Sequence, residues 1–501
     1  MVIWKIRFTF AVSNYSIMEK LIGRVNEVNE LKRCYHSARS EFVILYGRRR
    51  IGKTFLVNSV FDGNFSFYFT GSHQAENKRQ LERFAQAIQK YGQLALLPAI
   101  DNWYHAFDAL QKVLERSERS SKKVIFIDEM PWMDNGTSAG HSQFVAALED
   151  FWNAWAALRD DILLIATGSA TSWMVDKLIG NQGGLYNRIT ARIHLRPFNL
   201  NECEQYLREH GCAWDHYAIT QYYMYMGGVP FYLSLLDYGK TVEDNIDDFF
   251  FHTGAKLDRE FDDLYHVLFR DSDAYIEIAR LLANHREGMT RENILEVLPT
   301  RGGGWLTKVL NNLERCDFIE GFVAFGNKKK GKIYRLTDFF TLFYLKFVES
   351  ESPKRSGRYW AHRVLSPDLK AWQGLTFELV VLMHAENVKR SLGISGMVTN
   401  ESAWRSKQNL ANEGQAKAQI DLIIERADRL IHLCEVKFSQ EEYVITREYE
   451  SKLRNKMAIF REETKTKKPL IVTFVTTYGV KQNIHSGIVA AQITMEDLFS
   501  A

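Results

Sequence analysis

Gly47-Arg48-Arg49-Arg50-Ile51-Gly52-Lys53-Thr54 sets two glycines, then a lysine and a threonine, at the spacing of a phosphate cradle. Glycines there let backbone N–H groups turn inward around phosphate oxygens, Lys53 reaches the β- and γ-phosphates, and the Thr54 hydroxyl is placed to hold Mg²⁺. The cradle follows an apolar run, EFVILY, and precedes a helical pattern, so the positive end of a helix starting near Lys53 faces the same anion. The run from Gly47 to Phe55, Ile51 included, is therefore expected to line a nucleotide, with Arg48, Arg49 and Arg50 beside the phosphates or exposed.

A second apolar run, KVIFIDEM, ends in Asp128-Glu129. At a strand end beside a phosphate cradle, the Asp is suited to support Mg²⁺ and the Glu to polarise the attacking water. A third run, DILLIAT, ends in Gly168-Ser169. If its strand lies between the other two, Thr167 or Ser169 would sense the γ-phosphate.

Another constellation lies near the C-terminus, in AQIDLIIERADRLIHLCEVKF (418–438). A hairpin turning on Asp428 sets Asp421 opposite Glu435, on one face and with Cβ atoms about 5 Å apart. Lys437, two residues on, shares that face. Two carboxylates so close repel, and a divalent cation would relieve the repulsion. Such a cation lowers the pKa of a bound water, and the ammonium orients it.

These residues need elements to position them. From Met18 to about residue 195, short apolar runs (41–46, 65–70, 123–128, 161–167, 192–195) alternate with helix-like stretches, the signature of a mostly parallel sheet with crossover helices. A strand-free helical region spans 198–271. Helices over 272–316 lead into a hairpin with a glycine- and lysine-rich tip, and ESESPKRSGR (349–358) has a linker's composition. The segment from about 359 has its own helices and strands. Four units follow: 18–197, 198–271, 272–348 and 359–501. Residues 1–17 lack an apolar signal core, and Met18 is an alternative start.

The chain has 501 residues, 46% hydrophobic and 25% charged, with a net charge of +3. That balance gives no global field for a polyanion, so any nucleic-acid contact rests on local basic patches. Five cysteines lie far apart with no CxxC pair, which fits a reduced cytoplasmic protein without a zinc site. No apolar run approaches the ~18 residues of a membrane span.

IGR-VNEVNEL (22–31), GRRRIGKT, FIDEMPWM, IATGSATSWM and GGLYNRITARIHLRPF resemble the archaeal-type AAA+ ATPases, relatives of the signal-transduction ATPases with numerous domains and of the replication-origin initiators. The resemblance covers about Met18 to Leu235. It implies ATP and Mg²⁺ as cofactors, an α/β P-loop sheet with a helical lid, and possible homo-oligomers through the ATPase unit. It places Gly23 and Arg24 near the adenine, Arg188 as a finger or sensor, and Gly228 and Pro230 of MGGVPFYL near the nucleotide. Residues 272–345 resemble the winged helix that follows the lid in those families, with Lys308, Asn311 and Asn312 facing outward and Lys328, Lys329, Lys330 and Lys332 at the wing tip, which suits DNA phosphates.

The C-terminal pattern resembles the PD-(D/E)XK nucleases, and the unit as a whole resembles the uncharacterised domain that accompanies archaeal-type ATPases. The nuclease resemblance adds Glu378, on an earlier helix, to the metal edge of Asp421 and Glu435, and gives Lys452 and Arg454 as backbone contacts. His384 and His432 are expected to be structural. Two functions remain open: an ATP-hydrolysing protein acting on DNA with a Mg²⁺-dependent nuclease site, and a nucleotide switch whose C-terminal unit binds DNA or protein without cutting.

Overall fold

The computed structural model describes residues 20–500 apart from 74, 118–120, 135–141, 181–183, 186, 270, 300–301, 327–330, 350–358 and 407–417. Residues 1–17, most of the 349–358 stretch and Lys328 to Lys330 thus lie outside the described residues.

Strands β1 (Glu41–Tyr46), β2 (Phe67–Thr70), β3 (Lys123–Asp128), β4 (Ile162–Gly168) and β5 (Ala191–His194) form one sheet in the order β2-β3-β4-β1-β5. All its pairs are parallel. Their near-continuous apolar sequences suit strands covered on both faces, and two cores, one per face, flank the sheet. β4 lies between β1 and β3, with Tyr46 beside Gly168 and Ile127 beside Ala166. The register brings the ends of these three strands to one edge, where the phosphate cradle, Asp128-Glu129 and Thr167 to Ser169 all emerge.

Helices Leu200–Glu209, His216–Met226, Pro230–Ser234, Val242–Phe250 and Glu260–Leu268 follow. The first opens on a capping box: Asn199 accepts from the Glu202 amide, and Glu202 accepts from that of Asn199. Two orphan donors of the helix start are thereby satisfied.

Helices Ser272–Asn284, Arg291–Val297 and Gly303–Arg315 come next, with β6 (Met289–Thr290), β7 (Ile319–Val323) and β8 (Lys332–Leu336) in an antiparallel sheet of order β6-β8-β7. The Gly303–Arg315 helix corrects one expectation. Lys308 and Asn311 are exposed, but Asn312 is buried and donates to the Tyr275 hydroxyl at 2.8 Å. Asn312 lies three residues after buried Val309, on the apolar stripe of the helix. Lys332 turns back to Glu314 at 2.5 and 2.8 Å.

After the helix Pro367–Met383, strands β9 (Thr399–Arg405), β10 (Gln419–Arg426), β11 (Ile431–Lys437), β12 (Leu470–Thr476) and β13 (Ala491–Thr494) form a mixed sheet, β13-β12-β11-β10-β9. β9, β10 and β11 pair antiparallel, whereas β11, β12 and β13 pair parallel. The helix Arg447–Thr464 makes the crossover between β11 and β12. In the β10–β11 hairpin Leu422 faces Cys434 and Glu425 faces Ile431, the register of a turn centred on Asp428.

A single core runs through the helical region after β5, the three-stranded region and the C-terminal unit, from Phe198 to Phe499. Trp360 and Trp372 pack on Tyr225, Phe343 and Phe347 within it. An isolated bridge between Ala324 and Ala403 joins the end of the β7–β8 hairpin to β9. Among the described residues no helix is long and apolar enough to cross a membrane.

Candidate functional site

The cradle begins where β1 ends. Gly47 has φ 144°, and a Cβ there would lie 2.2 Å from the Leu195 carbonyl oxygen. Gly52 caps the helix Lys53–Phe61 with φ 86°, a left-handed conformation that costs glycine no Cβ clash. The buried Lys53 ammonium donates to the carbonyls of Gly47 and Arg48, both at 2.9 Å. Burial lowers its pKa, opposed by Glu129 and Asp128. A cation held this way inside the loop is pre-placed for an anion.

Thr54 Oγ1 donates to Asp128 Oδ2 at 3.0 Å, and the Thr167 hydroxyl bonds the other oxygen, Oδ1. Burial raises the Asp128 pKa, opposed by the Thr167 bond. A hydroxyl and a carboxylate oxygen in contact are the kind of hard oxygen donors that would hold a magnesium ion. Glu129 is held differently. Its backbone is left-handed, φ 47°, and its Oε2 accepts from the Ser169 amide at 3.0 Å and the Ser169 hydroxyl at 2.8 Å. A non-glycine residue in that region stores strain of about 1 to 3 kcal/mol, and here it turns the carboxylate into the cleft.

A cavity of about 400 Å³ opens beside the cradle, lined by Lys53, Thr54, Glu129 and, farther along, Arg24, Phe198 and Phe231. Ile51, Gly52, Phe55, Arg50 and Pro230 also face it. Arg24 is buried, lies over the Phe198 ring at 4.6 Å and has Nη2 without an acceptor among the described residues. Gly228, expected near the nucleotide, does not line this cavity but packs against Phe198, which does: a Cβ at Gly228 would sit 1.8 Å from the Phe198 carbonyl oxygen.

The three arginines of the cradle diverge. Arg50 pairs with Glu260 and lies over Phe231 at 4.2 Å. Arg49 is half-buried, and its charge opposes that of Lys53. Arg48 departs from the expectation of a phosphate-adjacent or exposed side chain. It is buried, ion-paired with Asp338 and stacked over Phe318 at 4.9 Å, because the loop aims it outward into the following unit. Arg188 is exposed and does not line this cavity.

In the C-terminal unit, Glu435 and Lys437 share a face of β11 at 2.8 Å. Lys456 bonds the other Glu435 oxygen at 2.7 Å, and the Tyr449 hydroxyl also donates to Glu435. Burial opposes ionisation of Glu435, but the two ammonium groups outweigh it and hold the carboxyl down to about 2. Glu378, on the helix packed over β11, is close enough to raise the Lys437 pKa. The backbone of Asp421 lies in β10; its side chain is outside the described residues. Among the described residues no three His, Cys, Asp or Glu side chains converge to hold a metal. Lys452 and Arg454 point away and pair with Glu448 and Glu450, so the basic group over the site is Lys456. His384 accepts from the Leu200 amide at 3.1 Å, and His432 contacts Thr473 Oγ1 at 2.9 Å.

Tyr449, Lys456 and Glu260 carry no motif signal, and Phe198 and Phe231 lie within quoted stretches without being singled out. Only the helical phase of Arg447–Thr464, with Tyr449 and Lys456 seven residues apart, places two polar groups on one face.

Residues 21–236 match the model of a family described as an ATPase domain predominantly from Archaea. An uncharacterized protein of Methanocaldococcus jannaschii is 24% identical over 369 residues, 72% of this chain and 76% of that one. Among solved structures, the Walker-type ATPase of Pyrococcus abyssi is 18% identical and covers 65% of this chain and 96% of its own, with a TM-score of 0.46. The Aeropyrum pernix ORC2 protein is 15% identical, covering 66% and 95%, with a TM-score of 0.40.

Proposed function

We propose that the chain binds ATP with Mg²⁺, hydrolyses it and couples the cycle to an action on DNA. The observation behind the ATPase part is one edge of one sheet. There Lys53, Thr54 and the Ser169-held Glu129 border the same cavity, and Asp128 is bonded to Thr54 behind it. Lys53 and the loop amides would bind the β- and γ-phosphates, Thr54 and Asp128 would hold the magnesium, and Glu129 would orient water and take its proton. Magnesium, when bound, spreads the phosphate charge. Arg188, exposed and outside the lining of the chain's own cleft, would serve as a finger for a neighbouring copy, which is where a homo-oligomer would enter. Lys53→Ala is expected to abolish ATP hydrolysis; wild-type turnover in that variant would remove this reading.

For the C-terminal unit we propose a Mg²⁺-dependent nuclease site at Asp421, Glu435 and Glu378, with Lys437 beside the scissile phosphate. Support comes from the mixed sheet and from the hairpin register that carries Asp421 toward Glu435. The described donors fit a metal only in part, since both Glu435 oxygens are engaged by Lys437, Tyr449 and Lys456. That engagement favours the second reading, a nucleotide switch whose C-terminal unit binds DNA or protein without cutting. Metal-dependent cleavage of single- or double-stranded DNA, lost in both Lys437→Ala and Asp421→Ala, supports the first. No cleavage of any form, with or without ATP, leaves the second.

A further inference from the structure

The strongest feature outside the cleft is the route Arg48 takes. It belongs to the phosphate cradle in sequence, yet its guanidinium forms an ion pair with Asp338, 290 residues on. The pair is almost wholly sealed, with side-chain exposures of 1% and 4%. Asp338 caps the helix Phe339–Phe343: its Oδ2 accepts from the Thr341 amide at 3.0 Å and the Thr341 hydroxyl at 2.6 Å, leaving Oδ1 for Arg48. That helix is buried throughout and lies inside the core shared by the lid helices, the three-stranded region and the C-terminal unit.

Two kinds of contact therefore divide the molecule. Inside the second body, made of the lid helices, the three-stranded region and the C-terminal unit, the packing is continuous and rich in aromatic rings. Between the parallel-sheet body and the second body several contacts are ion pairs or polar bonds: Arg48–Asp338, Arg50–Glu260 and Arg315–Asp176 at 2.7 Å, and the His194–Asp317 hydrogen bond at 2.9 Å. Packed cores move as units, and motion between two such units takes place where they meet through discrete polar pairs rather than continuous packing. Arg48 is also incompletely satisfied, with Nε and Nη2 buried and without acceptors among the described residues. A half-satisfied buried cation is poorly fixed and gives way readily to an alternative arrangement.

The link to nucleotide runs through Lys53. Its ammonium donates to the Arg48 carbonyl at 2.9 Å. A triphosphate competes for that ammonium, and the carbonyl it releases belongs to the residue whose side chain grips Asp338. We infer that Asp338 is a positioning residue for the phosphate cradle and that the Arg48–Asp338 pair transmits nucleotide occupancy to the three-stranded and C-terminal units, which move together with the lid. This rests on the ATP-binding reading above and adds the route of coupling. By linkage the effect is reciprocal: loosening Asp338 changes nucleotide affinity.

The test uses the full chain. Amide hydrogen exchange over residues 303–323 and the dissociation constant for MgADP and MgATP are measured for wild type, for Asp338→Asn and for the double variant Arg48→Met/Asp338→Leu. The double variant removes both charges together, which keeps a folded protein even where the single change leaves a buried charge uncompensated. In wild type, nucleotide is expected to slow exchange at 303–323. Both variants are expected to lose that response, with nucleotide affinity shifted by about 5-fold or more. A double variant that melts cooperatively and still shows the wild-type exchange response overturns the inference, as does a wild type that binds nucleotide without any response. A wild type that binds no nucleotide overturns the ATP reading itself, and this inference with it.

Discussion

Glu129 Oε2 accepts two hydrogen bonds from Ser169, one from its amide at 3.0 Å and one from its hydroxyl at 2.8 Å. The proposed base on β3 is thus aimed by the end of the strand that separates β3 from the cradle. Removing the hydroxyl leaves the amide bond and lets the carboxylate swing. Ser169→Ala is expected to lower kcat about 10-fold while nucleotide affinity changes less than 2-fold, since general-base positioning acts on the chemical step. Steady-state hydrolysis and equilibrium nucleotide binding check it, with Glu129→Gln as the reference that binds and does not turn over.

Gly228 meets Phe198 backbone to backbone. A Cβ at 1.8 Å from a carbonyl oxygen forces the chain apart beside Phe198, which lines the cavity at the cradle. Gly228→Ala is expected to cost about 1 to 3 kcal/mol of stability and to weaken nucleotide binding. Gly211→Ala, where a Cβ would meet nothing within 4 Å but φ is 74°, serves as a comparison that strains the backbone away from the site. Thermal melting with and without ATP measures both.

Lys456 and Lys437 hold the Glu435 carboxyl down to about 2. A carboxylate whose folded pKa lies below its unfolded value lends stability above the unfolded pKa of about 4.3 and loses it as pH falls toward 2. Lys456→Met removes one of the two cations and is expected to raise the midpoint of acid unfolding of the C-terminal unit, by about 0.5 pH unit or more. Near-ultraviolet circular dichroism between pH 2 and 6 reads the shift, and an unchanged midpoint would show that Lys437 alone fixes Glu435.

His384 has the opposite chemistry and the same direction. Buried, and accepting from the Leu200 amide, it is held down to about 4 by desolvation. Its unfolded pKa is about 6.5. The folded state therefore binds fewer protons between these values, and stability is full above pH 6.5 and falls as pH drops toward 4. The loss at pH 5 is about 2 kcal/mol. His384→Gln, which retains an acceptor and does not titrate, is expected to flatten that slope in melting temperature against pH.

Much of the architecture was legible because its causes are local. β1, β3 and β4 are continuous apolar runs bounded by polar residues, as strands covered on both faces must be. The β10–β11 register followed from a short turn at Asp428, since turn length fixes pairing. Asn312 was legible too, but only when read against Val309 and Leu313, which put it on the buried stripe. Arg48 was not: nothing near it in sequence names Asp338. Tyr449 and Lys456 were hidden for a related reason. A helix's own periodicity tells which of its residues share a face, not which face meets the sheet, so Lys452 and Arg454 looked equally suited.

Trp360 and Trp372 stand on Tyr225, Phe343 and Phe347 across what reads in sequence as a linker. Modules joined in this manner do not shuffle freely. A gene fusion that lent this C-terminal part to another engine would bare an aromatic face on donor and recipient alike, so descent should have kept the pieces travelling together and selected their surfaces as a pair.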